Sequence, residues 1–151
     1  MAKREIKLDF TGSGFDIALE DGDFANEDGL DTNIWVSLFS DARADQTQVI
    51  VPENRRGWLG NLAAEVPERQ LGGHLWLAEQ RRLNQETLNE VIDYIRKSLE
   101  WIVIDEIALK IEVSGSIIPR VGIEANVVIT SKDGITSDHY IELWRLTGNA
   151  N

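Results

Sequence analysis

The chain has 151 residues, 42% of them hydrophobic, and no cysteine. That length suits one domain burying about 68–70% of the surface its unfolded chain exposes, and the missing thiols exclude disulfides, thiolate catalysis and cysteine-ligated zinc. Asp and Glu total 26 against 15 Lys and Arg, a formal net charge of -11, which opposes binding to nucleic acid and to anionic membrane surfaces.

The opening MAKREIKLDF has no apolar segment of the kind a secretory signal needs. Apolar runs such as WIVI at 101–104 are far below the ~20 residues that span a bilayer. Both features predict a soluble protein made in a reducing cytoplasm. Residues 1–15 read as a flexible N-terminal arm interrupted by TGSG at 11–14, and 16–151 as a single domain. DIALEDGDF predicts a short strand at about 16–20 with a turn at Asp21-Gly22. Leu30, Ile34 and Leu38, with Trp35 and Phe39, recur at helical spacing. They predict a helix over about 33–42, capped by Asp31 or Thr32.

Residues 41–73 lose this period and gather Asp, Gln, Asn, Pro and Gly, the mark of a long functional or mobile loop. LWLAEQRR, 75–82, predicts a short helix. The strongest signal is 84–102, where Leu88, Val91, Ile92, Ile95, Leu99 and Ile102 form one stripe. Asn84 is its N-cap, Asp93 and Lys97 a correctly oriented i,i+4 pair, and Glu86 and Glu90 a weak repulsion on the solvated face.

The period then changes to 2. Ile107, Leu109, Ile111 and Val113 alternate with small or polar residues, SGSIIP reads as a turn, and Val121, Ile123, Ala125, Val127 and Ile129 alternate again. Asp133-Gly134 marks a hairpin leading into HYIELWRL. A two-residue turn would pair Ala125 with Glu142 and split the apolar residues between faces. A three-residue turn, Lys132-Asp133-Gly134 with Gly134 left-handed, pairs Ala125 with Ile141 and Ile123 with Leu143, so a bulged three-residue turn is expected. The opposite face then carries Tyr140, Glu142 and Trp144, with Trp144 across from Gly122. Two aromatics there call for a cover, either an N-terminal segment or a partner subunit. The fold class is α+β: a small single domain in which an antiparallel β-meander packs against one long amphipathic helix and shorter helices.

EDGDFANEDGLDTN at 20–33 has the look of a calcium loop, but its glycines fall out of step with the EF-hand pattern, so no metal is expected. No cofactor is expected either. His74 and His139 sit in unrelated contexts, and there is no G-x-S-x-G, H-E-x-x-H or Walker A run. The reading is a non-enzyme; the alternative is a carboxylate-dependent hydrolase acting on cell-wall glycan, which needs only two acids. PENRRGWLGN, 52–61, remains. Arg55 and Arg56 beside Trp58, framed by Gly57 and Gly60, could pin the loop internally, dock on an acidic or aromatic patch, or hold an anionic small molecule.

The ordered set EDGDFANEDGLDTNIWVSLFSDARA, RRGWLGN, GGHLWLAEQRRLNQETLNEVIDYIRKSLEWIVIDEIA and then an alternating hairpin resembles the Mu-like phage baseplate protein family. Its type member is encoded by gene forty-six of phage Mu, and it is related to the baseplate wedge proteins of other contractile-tailed phages. The resemblance covers about residues 16–146. In the wider wedge family a helix is followed by a Gly-Glu-Arg turn; Asp41-Ala42-Arg43 stands here, and Arg43 is the matching residue. The resemblance implies a structural virion component, phage- or prophage-encoded and assembled in the host bacterial cytoplasm, that sits in the tail baseplate around the tube. It implies partners among other wedge subunits, tail tube and sheath proteins, a part in templating the sheath, and oligomers only within the assembled baseplate. The candidate interface residues are Arg43, Arg55, Arg56, Trp58, Tyr140 and Trp144.

Overall fold

The computed structural model describes residues 5–10, 15–24, 26–27, 30–63, 70–79 and 81–143. The first of these form short antiparallel ladders: β1 (Glu5–Ile6), β2 (Leu8–Phe10), β3 (Phe15–Ile17), β4 (Leu19–Glu20), β5 (Asp23–Phe24) and β6 (Asn26–Glu27). β2 pairs with β3, β4 with β5, and β1 with β6. Asp21 and Gly22, both at positive φ (52° and 83°), make the expected turn between β4 and β5. β1 and β2 lie within the stretch read as an arm.

Helix α1 (Asp31–Phe39) starts and ends earlier than the periodicity predicts, and buries Ile34, Ser37 and Leu38. Neither Asp31 nor Thr32 caps it; Leu30 holds the cap position. The Thr32 hydroxyl is engaged by the N-terminal chain instead. It accepts from the Leu8 N–H at 3.2 Å and donates to the Ile6 carbonyl at 3.0 Å, so a side chain free to cap in the isolated helix is captured by a neighbouring strand.

Of the segment predicted as a helix at 75–82, the described residues form a 3-10 turn over Leu75–Ala78. Helix α2 (Gln85–Ile104) matches its sequence signal closely. Asn84 Oδ1 accepts the Thr87 N–H at 2.9 Å, Lys97 meets Asp93 at 2.8 Å, and Leu88, Val91, Ile95, Leu99 and Ile102 are buried. Glu90 is not simply opposed by Glu86, for Arg81 holds it at 2.8 Å.

Three long strands complete the α+β fold: β7 (Ala108–Ile118), β8 (Gly122–Ser131) and β9 (Thr136–Leu143), in the order β7-β8-β9. The three-residue turn is present. The Ser131 N–H donates to the Ile135 carbonyl at 2.8 Å, Gly134 has φ +79°, and Ala125 faces Ile141 while Ile123 faces Leu143. The buried face stacks Val113, Val127 and His139 in one row and Gly115, Ala125 and Ile141 in the next. Gly115 lets α2 lie close, since a Cβ there would stand 3.3 Å from Leu88 Cδ1 and 2.9 Å from the Glu124 carbonyl.

Two expectations for β7 are corrected. SGSIIP does not turn: residues 114–118 continue the strand, and the reversal falls at Arg120 (φ 65°), closed by the Val121 N–H on the Ile118 carbonyl. The alternation starting at Ile107 is also broken. A register shift between Ala108 and Lys110 puts one extra residue into β7, and such a bulge moves the side chains before it to the other face. Ala108 is therefore buried (3% exposed), while Leu109 points out (59% exposed). On the outer face Tyr140 is 54% exposed and donates to Glu124 Oε2 at 2.8 Å. Trp144 lies outside the described residues.

Candidate functional site

The loop from Asp41 to Ala63 leaves α1, and its shape is held by its own arginines. Gly73 and Asp41 form a parallel bridge, with the Ala42 N–H on the Gly73 carbonyl and the Gly73 N–H on the Ser40 carbonyl. The Arg55 fork donates from Nε to the Val49 carbonyl (2.8 Å) and from Nη2 to the Ile50 carbonyl (3.1 Å). Arg43 reaches the Arg56 carbonyl (3.1 Å) and the Pro52 carbonyl (3.3 Å). A guanidinium presents several N–H groups in one rigid plane, so each of these residues ties two points of the loop together.

Arg56 acts differently. Its guanidinium lies 3.1 Å from Asp41 and 3.6 Å from Glu79, and its Cζ stands 4.8 Å from the Trp76 ring centre. Trp76 in turn donates its indole N–H to the Ala42 carbonyl at 2.9 Å. Asn61 brackets the Leu71 peptide with two bonds of 2.9 Å. The Asp45 carboxylate is pushed below the usual carboxylate range by the Thr47 hydroxyl, then by the N–H groups of Thr47 and Gln48. Those bonds favour the charged form.

Both framing glycines are required by close approach. Gly57, at φ +116°, passes so near Arg43 that a Cβ would stand 2.9 Å from Arg43 Cβ. At Gly60 a Cβ would lie 2.5 Å from Trp58 Cζ2 and closer still to two other ring carbons. The indole thus lies flat against Gly60 with its other face open, and Trp58 is 52% exposed. Leu59 and Leu62 follow at 81% and 85% exposed. Arg43, Arg56, Trp58, Leu59 and Leu62 border a hollow of about 640 Å³. A second hollow of about 800 Å³ runs between the loop and α2, along Arg56, Trp76, Arg81 and Tyr94.

The structure therefore gathers Arg43, Arg55, Arg56 and Trp58 into one braced loop, and leaves Tyr140 on the open face of the sheet. Of the three readings of RRGWLGN, internal pinning accounts for every contact of the guanidiniums described above. Leu59 and Leu62 are neighbours of the site that sequence reasoning did not single out. Their i,i+3 spacing inside a Gly-rich loop was the available signal.

His139 is not isolated. Its Nδ1 lies 3.1 Å from Asp31 Oδ1 and its Nε2 lies 3.1 Å from Ser137 Oγ. Acid, imidazole and hydroxyl stand in the order of a nucleophilic relay. Acyl transfer also needs oxyanion donors around a bound substrate, and neither hollow described above includes these residues. What the trio visibly does is tie the first turn of α1 to β9. A glycosidase acid must be held protonated, whereas Asp45 and Glu124 are both shifted downward, Glu124 by Ser116 and Tyr140. Among the described residues no three His, Asp or Glu side chains are grouped to hold a metal, and no helix is long and apolar enough to cross a membrane.

The family model described as phage protein GP46 matches residues 30–136, from the residue before α1 to the first residue of β9. The chain belongs to the GP46 family of phage proteins. A GP46 relative from Escherichia phage Mu, named baseplate protein gp46, is 30% identical over 100 residues, covering 65% of this chain and 67% of the relative. Another, the Mu-like prophage FluMu protein gp46 of Haemophilus influenzae, is 26% identical over 132 residues, covering 87% of this chain and 90% of the relative. The GP46 match takes in the braced loop, both helices, β7 and β8.

Proposed function

We propose that this GP46 chain is a structural, non-enzymatic subunit of a phage tail baseplate, of the wedge type, located in the virion tail and assembled in the host cytoplasm. It packs around the tail tube against other baseplate subunits and helps template the sheath. The name of the phage Mu relative supports the baseplate assignment. The observation that carries the contact role is the loop itself, where three arginines and two glycines hold a backbone whose outward side chains are Trp58, Leu59 and Leu62. A large apolar side chain shown in one orientation costs little further ordering when a partner covers it, and tryptophan is favoured at the energetic centres of interfaces. Arg43, Arg55 and Arg56 serve docking by holding that shape. Tyr140 on the open sheet face, with Trp144 from the sequence pattern, supplies a second contact. Each stable interface buries at least ~1,000 Å², and neither nucleic acid nor membrane is a partner.

The test is the double variant Trp58→Ala, Leu62→Ser, which leaves the arginine bonds in place. The isolated domain should keep its circular dichroism and a cooperative melt, lowered by several degrees through loss of the Trp58–Gly60 contact, while disappearing from purified tails. Incorporation at the normal level would remove the loop as a docking element.

A further inference from the structure

Arg43 and Arg56 both border the hollow beside Trp58, yet their charges are handled differently. Arg56 is flanked by two carboxylates, Asp41 and Glu79. Arg43 meets main-chain carbonyls, and among the described residues no carboxylate lies within ion-pair distance of it. Among the described residues Arg43, like Arg55, is held by main-chain carbonyls alone, but unlike Arg55 it borders the hollow beside Trp58. Asp45, the acid in the same lining, directs Oδ1 into its own turn, toward Thr47 and Gln48. Two of the five N–H groups that an arginine carries are used by the Arg56 and Pro52 carbonyls, leaving others for a fork onto an incoming carboxylate. Beside this charge stand the open face of Trp58 and the side chains of Leu59 and Leu62.

We propose that the hollow beside Trp58 receives an extended segment of a partner protein carrying an Asp or Glu next to a large apolar side chain. The carboxylate pairs with Arg43, and the apolar side chain lies on Trp58 and Leu62. This rests on the docking reading above and adds the chemistry of the occupant. A basic segment is disfavoured because it would bring like charge to Arg43. A polynucleotide is disfavoured because the chain as a whole repels phosphate.

A photo-crosslinking residue, p-benzoylphenylalanine, placed at the exposed position Leu62 of the full chain tests this in assembling particles, with the attached segment mapped by mass spectrometry. The expected product is a tail-protein segment with Asp or Glu within a few residues of a Leu, Ile, Phe, Tyr or Trp. A crosslinked segment without a carboxylate overturns this inference and leaves the docking reading standing. Normally assembled particles with no crosslink overturn both. A synthetic peptide of the mapped segment supplies the second measurement. Arg43→Gln removes the charge, and its shorter side chain also gives up the two loop bonds, so salt dependence is the deciding readout: affinity should fall about tenfold or more and lose its salt dependence. Equal affinity and equal salt dependence for that variant overturn the assignment of Arg43.

Discussion

Replacing Gly60 by Ala adds one methyl group at the point where the Trp58 indole lies against the backbone. The new Cβ would fall 2.5 Å from Cζ2 and nearer to Cη2 and Cζ3. Carbon atoms in contact sit ~3.5–4.0 Å apart, so the ring must retreat by roughly 1 Å or more. The backbone does not resist the change, because Gly60 lies in a 3-10 turn (Leu59–Ala63) and not in the left-handed region. Trp58 is 52% exposed. With a total surface of roughly 250 Å², complete release would uncover on the order of 120 Å² and cost about 3 kcal/mol at ~25 cal/mol per Å². Restricting the unfolded chain returns about 0.4–1 kcal/mol. The net loss is therefore at most about 2 kcal/mol, or a fall in melting temperature of up to about 4–8 °C. Nuclear magnetic resonance gives the direct assay: five indole N–H signals are available, and Trp58→Phe assigns the one that matters. That signal should move in Gly60→Ala, and partner binding should fall as it does in Trp58→Ala, although the tryptophan is retained. An unmoved signal with an unchanged melting temperature would refute the stacked ring and the pre-organised anchor built on it.

The bulge in β7 makes a paired prediction. Ala108→Asp puts a charge into a buried site and should cost about 3 kcal/mol or more in urea unfolding, whereas Leu109→Ser should change stability by about 0.5 kcal/mol at most; an uninterrupted alternation would reverse that order. Acidification should loosen the loop near Asp45. Its folded pKa is lowered, so its contribution is present above the unfolded value and lost as pH falls through the folded one. Faster amide exchange at Thr47 and Gln48 should mark the loss, and Asp45→Asn should abolish the dependence. Tyr140, pushed up to about 12 by its bond to Glu124, should ionise in ultraviolet titration well above the usual tyrosine range. Because its folded value is raised, that contribution is present below the unfolded value and disappears as pH climbs through about 12. Glu124→Gln should bring Tyr140 down toward ~10, while Tyr94, raised first by burial, stays where it is.

The features legible in the residues alone are those that near neighbours along the chain decide. The stripe of α2, its Asn84 cap and the Asp93–Lys97 pair depend on positions three or four apart. The turn at Lys132-Asp133-Gly134 and the β8–β9 register depend on a left-handed glycine and a period of two. Tertiary structure decided whatever required a distant atom. Thr32 cannot cap α1 because strands 24 and 26 residues away take its hydroxyl. SGSIIP continues β7 instead of turning because residues 114–118 pair with β8, and Gly115 fits there since it brings no Cβ against the Glu124 carbonyl at 2.9 Å or Leu88 of α2 at 3.3 Å. The bulge at Ala108 arises where β7 must bury one side chain under α2 and still meet β8 in register. At the candidate site, sequence supplied the residue types and the flanking glycines. Whether an arginine faces a carbonyl, an acid or solvent depends on how a 23-residue loop closes on itself and on Gly73, and no local spacing encodes that closure.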